Sequence, residues 1–294
     1  MEPNINLKKI AIGTATFGMN YGAFNSSGQI NQDQAGRILT LAKDKNINTI
    51  DTAISYGESE QVLGFVGVQN WKIISKIPPV EISTQSISRW MDSQVEQSLK
   101  RLKVPRIYGL LLHDPGQLNQ SYGQKIWSAL CELKEKKRVS KIGYSIYDPS
   151  ELDCLWKNFR PDIIQAPFNL IDRRMLTSGW LDKLHNSNCE VHVRSVFLQG
   201  LLLSKLSDSP KFFKTWRPLW DKYIEWQKAE NVLPLEACMG FVLSFPQISR
   251  IIVGVDSLLQ FEQVLNCNLP SLCYFPEEIS SDDINLLNPR KWKI

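Results

Sequence analysis

Histidine and cysteine, the residues that most often hold metals or form disulfides, are scarce in this chain of 294 residues. It contains three histidines and six cysteines, and no two cysteines form a CxxC pair. The cysteines stand at positions 131, 154, 189, 238, 267 and 273. None of these spacings is typical of a zinc site. We therefore expect no bound metal, and reduced, mostly buried thiols as in a cytosolic protein.

Long apolar runs and a strong charge of one sign are also missing. No run approaches the roughly 20 apolar residues that a membrane span requires, and residues 1–9 lack the apolar core of a signal peptide. The formal net charge is only +4. The densest cationic run, residues 134–138, falls where a helix should end, so a solvated helix end is favoured over nucleic-acid binding. We predict a soluble, cytoplasmic protein without nucleic-acid or membrane partners and leave its oligomeric state open.

What the chain does have is a regular alternation of short apolar runs with helix-like stretches. Eight strands are predicted, within residues 9–17 and at 47–51, 71–77, 108–112, 141–146, 162–168, 190–196 and 250–255. Asp33 is expected to cap the helix after the first strand, and a long helix is expected over residues 83–102. The alternation predicts an α/β protein, a (β/α)8 TIM barrel forming a single domain over residues 1–294.

Polar side chains follow three consecutive strand candidates. Asp51, Lys76 and His113 each stand at or just past the end of an apolar run, and Tyr56 comes shortly after Asp51. Because the carboxyl ends of neighbouring parallel strands meet at one rim, these side chains should converge there. Each one alone is better explained structurally, as a strand-end carboxylate, a solvent-facing lysine or a loop histidine. Their joint placement favours a proton-transfer site.

These residues also carry a family resemblance. The segment DTAISYG at residues 51–57, Ser75 with Lys76, and LLH at residues 111–113 resemble motifs of the aldo-keto reductase superfamily, in the same order along almost the whole chain. The resemblance implies that Tyr56 is the general acid that protonates a carbonyl oxygen during hydride transfer. It further implies that Lys76 lowers the pKa of Tyr56, that Asp51 holds Lys76, and that His113 polarises the carbonyl group.

A hydride must come from a cofactor, because no side chain supplies one. The chain has no GxGxxG after a strand, so a Rossmann site is not expected. The resemblance instead implies a nicotinamide cofactor extended across the barrel rim, with NADPH favoured and NAD possible. The cofactor-binding residues it implies are Thr14, Ser145, Gln165, Arg194, Ser195 and Gln260. From the residues alone, Gln165 could equally be a polar residue of the barrel interior and Arg194 a strand-end cation.

Three positions depart from the family pattern. Ile146 stands where an asparagine often follows the serine, and Val264 stands where an asparagine commonly lies near the adenine. Residues 254–260 lack the basic side chains of NADPH-specific members, and Asp256 could repel a 2′-phosphate. Arg250 or Lys205 could replace the missing cations. The resemblance therefore implies a weak phosphate clamp.

The sequence predicts an NAD(P)-dependent aldo-keto reductase that converts an aldehyde or ketone to an alcohol. Residues 288–292 and Tyr144 resemble bacterial members associated with surface-polysaccharide pathways, which hints at a sugar-derived substrate. One alternative is a cofactor-binding barrel that serves as a redox sensor or scaffold without significant turnover. The presence of all four catalytic-type residues favours the enzyme. An unrelated barrel lyase or isomerase would need a phosphate site or a metal cluster, and the sequence shows neither.

Overall fold

Eight parallel strands form a closed barrel in the computed structural model, which describes residues 6–25, 27–81, 86–205, 209–269 and 274–293. Each strand pairs with the next one along the chain, and the last strand pairs with the first. The strands are β1 Ile10–Gly13, β2 Thr49–Asp51, β3 Lys72–Ile77, β4 Ile107–Leu112, β5 Val139–Ser145, β6 Ile163–Pro167, β7 Glu190–Arg194 and β8 Ile248–Gly254. The predicted (β/α)8 barrel is confirmed.

Helices follow the strands around the outside of the barrel. They are α1 Ala15–Gly18, α2 Gln32–Asp44, α3 Ser59–Val66, α4 Ile87–Leu102, α5 Gly123–Glu135, α6 Ser150–Leu155, α7 Arg174–Thr177, α8 Trp180–Asn186, α9 Arg217–Ala229, α10 Pro234–Leu243, α11 Leu258–Leu265 and α12 Ile284–Leu287. The stretch between β7 and β8 is the longest connection because it contains both α9 and α10.

One local expectation differs from the structure, and another lies partly outside the described residues. The N-cap of α2 is Asn31, whose side chain accepts the backbone N–H of Gln34 at 2.9 Å. Asp33 is not the cap, because it lies inside the first turn, where its charge faces the positive end of the helix dipole. The described part of α4 begins at Ile87, and the predicted start at residue 83 lies outside the described residues.

The main hydrophobic core lies between the barrel and its helices, and the barrel interior holds a much smaller cluster. Ile74, Leu111 and Ile163 form this inner cluster and are fully buried. Gly109 lies beside them, and a Cβ there would lie 2.7 Å from Ile163 Cδ1 and 2.8 Å from Ile74 Cδ1, so these two methyl groups would have to shift.

Glu190 organises the rim at the strands' amino ends. Its Oε1 accepts hydrogen bonds from the Tyr108 hydroxyl and from Lys141 Nζ, each at 2.7 Å, and its Oε2 lies 3.0 Å from Nε2 of buried His192. Burial alone would raise the pKa of Glu190, but the hydrogen bonds from its partners outweigh burial and lower it. Burial also lowers the pKa of His192, so its imidazole is neutral near pH 7.

This cluster predicts acid sensitivity of the fold. Because the folded-state pKa of Glu190 lies below its unfolded value of about 4.3, its stabilising contribution is complete above that pH and is lost as pH falls towards the folded-state pKa. The depressed pKa of His192 adds a loss that begins below about pH 6.5. We expect Glu190→Gln to lower the free energy of unfolding at pH 7. In this variant the free energy of unfolding should also fall less steeply below about pH 4.3 than in the parent. Urea titration at several pH values would measure both effects.

The control is Glu96→Gln, which removes an exposed helix-surface pair with Lys100. Parallel pH profiles for Glu190→Gln and the parent would contradict the prediction.

Candidate active site

A buried ion pair lies at the carboxyl ends of β2 and β3. Lys76 Nζ donates to Asp51 Oδ2 at 2.6 Å and to the Thr52 carbonyl oxygen at 2.9 Å. Both charged side chains are almost completely buried. The second carboxylate oxygen, Oδ1, accepts a 2.6 Å hydrogen bond from Nε2 of Gln165 on β6. The carboxylate is thus held from two sides of the barrel.

Tyr56 is placed by a tight turn between β2 and α3. Gly57 has φ +53°, a left-handed conformation, and a Cβ at this position would lie 2.2 Å from the Gly18 carbonyl oxygen. Gly18 is equally restricted, because a Cβ there would lie 1.9 Å from the Tyr56 carbonyl oxygen. Only glycine fits this crossing of two chain segments. The glycine of the DTAISYG segment is therefore what allows the Tyr56 ring to reach the rim.

All four predicted catalytic side chains come together at this rim. The Tyr56 ring lies edge-to-face against His113, with 5.8 Å between ring centroids and 78° between ring planes. Lys76 Nζ lies 5.0 Å from the centre of the Tyr56 ring. The structure thus places an ammonium group, a carboxylate, a phenol and an imidazole on adjacent strand ends, as expected from the barrel geometry.

His113 is neutral at neutral pH. Burial and then the charge of Lys76 lower its pKa to about 3. Its Nδ1 lies 3.1 Å from Ser55 Oγ. A neutral imidazole still carries one N–H, which can donate a hydrogen bond to a carbonyl oxygen.

The expected lowering of the Tyr56 pKa is wrong for this structure. Burial, followed by the negative charge of Asp51, raises the pKa of Tyr56 above its ordinary value. The physical reason is that the Lys76 ammonium donates to Asp51 and Thr52, so a carboxylate at 2.6 Å offsets its charge. The Tyr56 hydroxyl therefore keeps its proton at neutral pH.

Ser145 and Gln165 are neighbours in register across β5 and β6, and both are buried. Ser145 Oγ donates to Gln165 Oε1 at 3.4 Å. The link from Gln165 to Asp51 joins this pair to the buried ion pair, a connection that the sequence did not predict. Because Ser145 and Gln165 also line a cavity beside Tyr56, they remain available to a bound molecule.

Arg194 and Ser195 follow the end of β7. Arg194 Nη2 donates to the Ile146 carbonyl oxygen at 3.0 Å, and its Nη1 donates to Ser195 Oγ at 3.3 Å. The guanidinium carbon lies 4.2 Å from the centre of the Tyr147 ring. Ser195 has φ +58°, which turns the chain sharply after the strand. The flat guanidinium is thereby held at the cavity wall.

Thr14 and Gln260 line the site, but their side chains have protein partners. Thr14 Oγ1 donates to the Asp51 carbonyl oxygen and accepts from Ser59 Oγ, both at 2.9 Å. Gln260 Oε1 accepts the backbone N–H of Asp256 at 2.9 Å. The Thr14 hydroxyl thus connects β1, β2 and α3, and a bound molecule would meet the Gln260 amide nitrogen.

Two adjoining cavities open at this rim. The smaller, about 290 Å³, contains the Tyr56 and His113 side chains. The larger, about 500 Å³, extends from Tyr56 along the rim to Gln260 and Val264. The loops after β1 and β7 meet above it, where the Ala23 N–H donates to Gln199 Oε1 at 3.0 Å. The site is therefore a long groove that ends in a compact pocket.

Sequence reasoning missed several residues of the smaller cavity, among them Tyr21, Tyr147 and Arg290. Tyr147 had a usable signal, since it stands two residues after Ser145 at the end of β5. Arg290 follows α12, far from any strand end, and its only signal was the family resemblance of residues 288–292. Tyr144, in contrast, is fully buried against Trp127 in the helix layer and lines neither cavity.

The described residues contain no group of three or more His, Cys, Asp or Glu side chains arranged to hold a metal ion. None of their helices combines the length and the apolar character that crossing a bilayer demands.

The proteins and the solved structure compared below are all named aldo-keto reductases. The chain is 26% identical over 227 residues to aldo-keto reductase YhdN of Bacillus subtilis, a match covering 72% of this chain and 65% of that protein. It is 22% identical over 291 residues to human aldo-keto reductase family 7 member A3, covering 83% of this chain and 86% of that one. The solved structure of an aldo-keto reductase from Bacillus halodurans, in its holo form, superposes with a TM-score of 0.71 at 19% identity, covering 92% and 89% of the two chains. That likeness supports the fold.

The model of the Aldo/keto reductase family matches residues 9–273, most of the chain. The chain therefore belongs to the aldo/keto reductase family, a family of NAD(P)-dependent oxidoreductases.

Proposed function

We propose that this protein reduces a small aldehyde or ketone to the alcohol, with a hydride from NADPH and a proton from Tyr56. The observation that carries the proposal is the meeting of Tyr56, His113 and the Lys76–Asp51 pair at one rim of the barrel, where Tyr56 and His113 line the smaller cavity. A buried phenol that keeps its proton beside a neutral imidazole is suited to protonating a carbonyl oxygen.

The residues of the groove fit a nicotinamide cofactor. The groove runs along the rim from Tyr56 to α11, and its walls include glycine backbone and polar side chains. Ser145 and Gln165 would hold the carboxamide, Arg194 would lie against the nicotinamide ring, and Ser195 with the loop at residues 198–200 would contact the pyrophosphate. When bound, NADPH supplies the hydride that adds to the carbonyl carbon.

The protein's own groups handle the proton and the substrate. The Tyr56 hydroxyl donates its proton to the carbonyl oxygen as negative charge develops there. The His113 N–H donates a hydrogen bond to the same oxygen and orients the carbonyl group. Lys76 Nζ lies 5.0 Å from the centre of the Tyr56 ring, so its charge offsets part of the cost that burial and Asp51 impose on the phenolate left after proton transfer.

Asp51 and Gln165 act one step further from the substrate. Asp51 fixes the Lys76 ammonium beneath the Tyr56 ring, and Gln165 fixes the other carboxylate oxygen. Such support from surrounding hydrogen bonds keeps the reacting groups within the narrow tolerance that catalysis requires. We propose Asp51 as a positioning residue for this reason.

A barrel that binds the cofactor as a redox sensor or scaffold remains the second candidate. The groove alone would be enough for that role, which requires neither the Lys76–Asp51 ion pair nor the protonated Tyr56.

We further propose one domain over residues 1–294 and a cytoplasmic location. Five cysteines of the described residues are free thiols, which supports the location. Because Tyr144 lies in the helix layer, it gives no support to the expected sugar-derived substrate.

One experiment separates the two candidates. Titration with NADPH should quench the fluorescence of the nine tryptophans if the groove binds cofactor. NADPH oxidation should then be followed at its absorbance with a panel of aldehydes and ketones. Binding together with turnover supports the reductase, and binding without turnover of any carbonyl compound supports the sensor.

The groove predicts weak discrimination between NADPH and NADH. Arg250 does not replace the missing cations, since it lies towards the amino end of β8 and donates to Thr49 Oγ1. Lys205 does not line the groove either. Asp256 does line it near Gln260. We expect the kcat/KM preference for NADPH to stay below about a thousandfold, because each lost phosphate contact removes roughly a factor of ten.

A charge-neutral variant tests the same point. Asp256→Asn should shift the preference towards NADPH by several-fold, because it removes a negative charge near the expected 2′-phosphate. The control is Asp44→Asn at the end of α2, on an exposed surface. A parental preference above a thousandfold, or no shift in Asp256→Asn, would show that the phosphate lies elsewhere.

A further inference from the structure

The C-terminal segment brings a cation to the smaller cavity. Arg290 follows α12 in a short 3-10 turn, and its guanidinium carbon lies 4.2 Å from the centre of the Tyr147 ring. Arg194 lies at the same distance, 4.2 Å, from that ring. Both arginines line the cavity that contains Tyr56 and His113. Two guanidinium groups therefore share one aromatic ring beside the expected reaction site.

The segment that carries Arg290 is fixed on both sides. Before it, the Asn288 side chain caps the turn by accepting the Arg290 backbone N–H at 3.0 Å. After it, Trp292 Nε1 donates to the Leu286 carbonyl oxygen at 2.8 Å. The Trp292 ring packs edge-to-face on buried Phe213, with 4.8 Å between centroids. The backbone of Arg290 is thus anchored, which is what a residue needs if it is to recognise a ligand.

The smaller cavity carries positive charge without a neutralising carboxylate. Its described lining residues include Arg194 and Arg290 but no Asp or Glu. Lys76 adds no net charge, because it is paired with Asp51. Arg194 donates to Ile146 and Ser195. The Arg290 guanidinium, in contrast, makes no hydrogen bond or ion pair with any residue that the structure describes.

We infer that Arg290 binds an oxyanion of the substrate, so that the preferred substrates are small carbonyl compounds bearing a carboxylate or a phosphate. A guanidinium offers a planar fork of N–H donors that matches both anions. The ring of Tyr147 orients this fork. Because no Asp or Glu is among the described residues that line the cavity, its positive electrostatic potential is not neutralised there. Arg290 does not line the larger groove, but it shares the smaller cavity with Ser145, Gln165 and Arg194, which the proposed function assigns to the nicotinamide. The test therefore uses saturating NADPH and a ratio between substrates. The inference rests on the proposed reductase function.

The test compares matched anionic and neutral aldehydes with saturating NADPH. One pair is 4-oxobutanoate and butanal, and the other is glyceraldehyde 3-phosphate and glyceraldehyde. The parent should favour the anionic member of at least one pair in kcat/KM, and which pair responds identifies carboxylate or phosphate. Arg290→Met, which keeps an unbranched apolar chain over Tyr147, should reduce that anionic-to-neutral ratio by about tenfold to a hundredfold, the scale of a charge-assisted hydrogen bond. Most of the loss should appear in KM.

Three comparisons complete the test. Lys291→Met removes the adjacent exposed cation and should leave the ratio unchanged, whereas Arg290→Lys should restore part of it. Raising the ionic strength should shrink the parental ratio. Equal rates for both members of each pair in the parent, or an Arg290→Met ratio equal to the parental one, overturns the inference while leaving the reductase intact. If NADPH binds but no aldehyde of either kind is reduced, it is the reductase function that fails.

Discussion

Tyr56→Phe should lower the turnover of an aldehyde by roughly a hundredfold or more, the usual scale for a lost general acid. The substitution removes one hydroxyl and retains the ring, including its edge-to-face contact with His113 and its position over Lys76. The raised pKa of Tyr56 means that the lost group is a protonated donor at neutral pH. Steady-state kinetics with saturating NADPH would measure the effect, and thermal unfolding should change little.

A neighbouring tyrosine provides the matched control. The Tyr21 ring lies 6.4 Å from the Tyr56 ring and lines the same cavity. Tyr21→Phe also removes one hydroxyl but should reduce turnover far less, because Tyr56 is the ring that lies against both Lys76 Nζ and His113. NADPH affinity, measured by fluorescence, should remain close to the parental value in both variants. Parental turnover in Tyr56→Phe would show that another group donates the proton.

Lys76→Met should impair both turnover and stability. The variant leaves the Asp51 carboxylate buried with the Gln165 amide as its one side-chain partner among the described residues. Removing one member of a buried ion pair typically costs about 3–5 kcal/mol of folding free energy. Turnover should fall because no cation then stabilises the phenolate that Tyr56 forms. Urea unfolding and steady-state kinetics would record the two losses separately.

A double variant separates those two effects. Lys76→Met with Asp51→Asn replaces the stranded carboxylate by a neutral group of similar shape, so most of the lost stability should return. Turnover should stay low, since the cation beneath Tyr56 is still absent. Recovery of turnover along with stability would mean that Lys76 serves the fold alone.

The local pattern of the chain was sufficient to predict the barrel and the rim at which Asp51, Lys76 and His113 meet. Strand period, strand spacing and the placement of Asp51, Lys76 and His113 after apolar runs depend on residues close in sequence. A closed parallel barrel then forces equivalent strand ends to one rim. Helix caps were less predictable, because Asn31 and Asp33 are both good capping residues and the backbone path decides between them.

Short-range patterns and the closure of parallel strands were enough to predict the barrel and the strand ends at which polar groups meet, and the resemblance of the DTAISYG and LLH segments pointed to the family. The electrostatics of the site depend instead on tertiary contacts. The Gln165–Asp51 hydrogen bond and the offset charge of Lys76 join different strands, and the raised pKa of Tyr56 follows from burial and the charge of Asp51. The approach of Arg290 to Tyr147 joins positions 143 residues apart (290 minus 147). Local sequence carries no record of such distances, whereas burial and charge act through space.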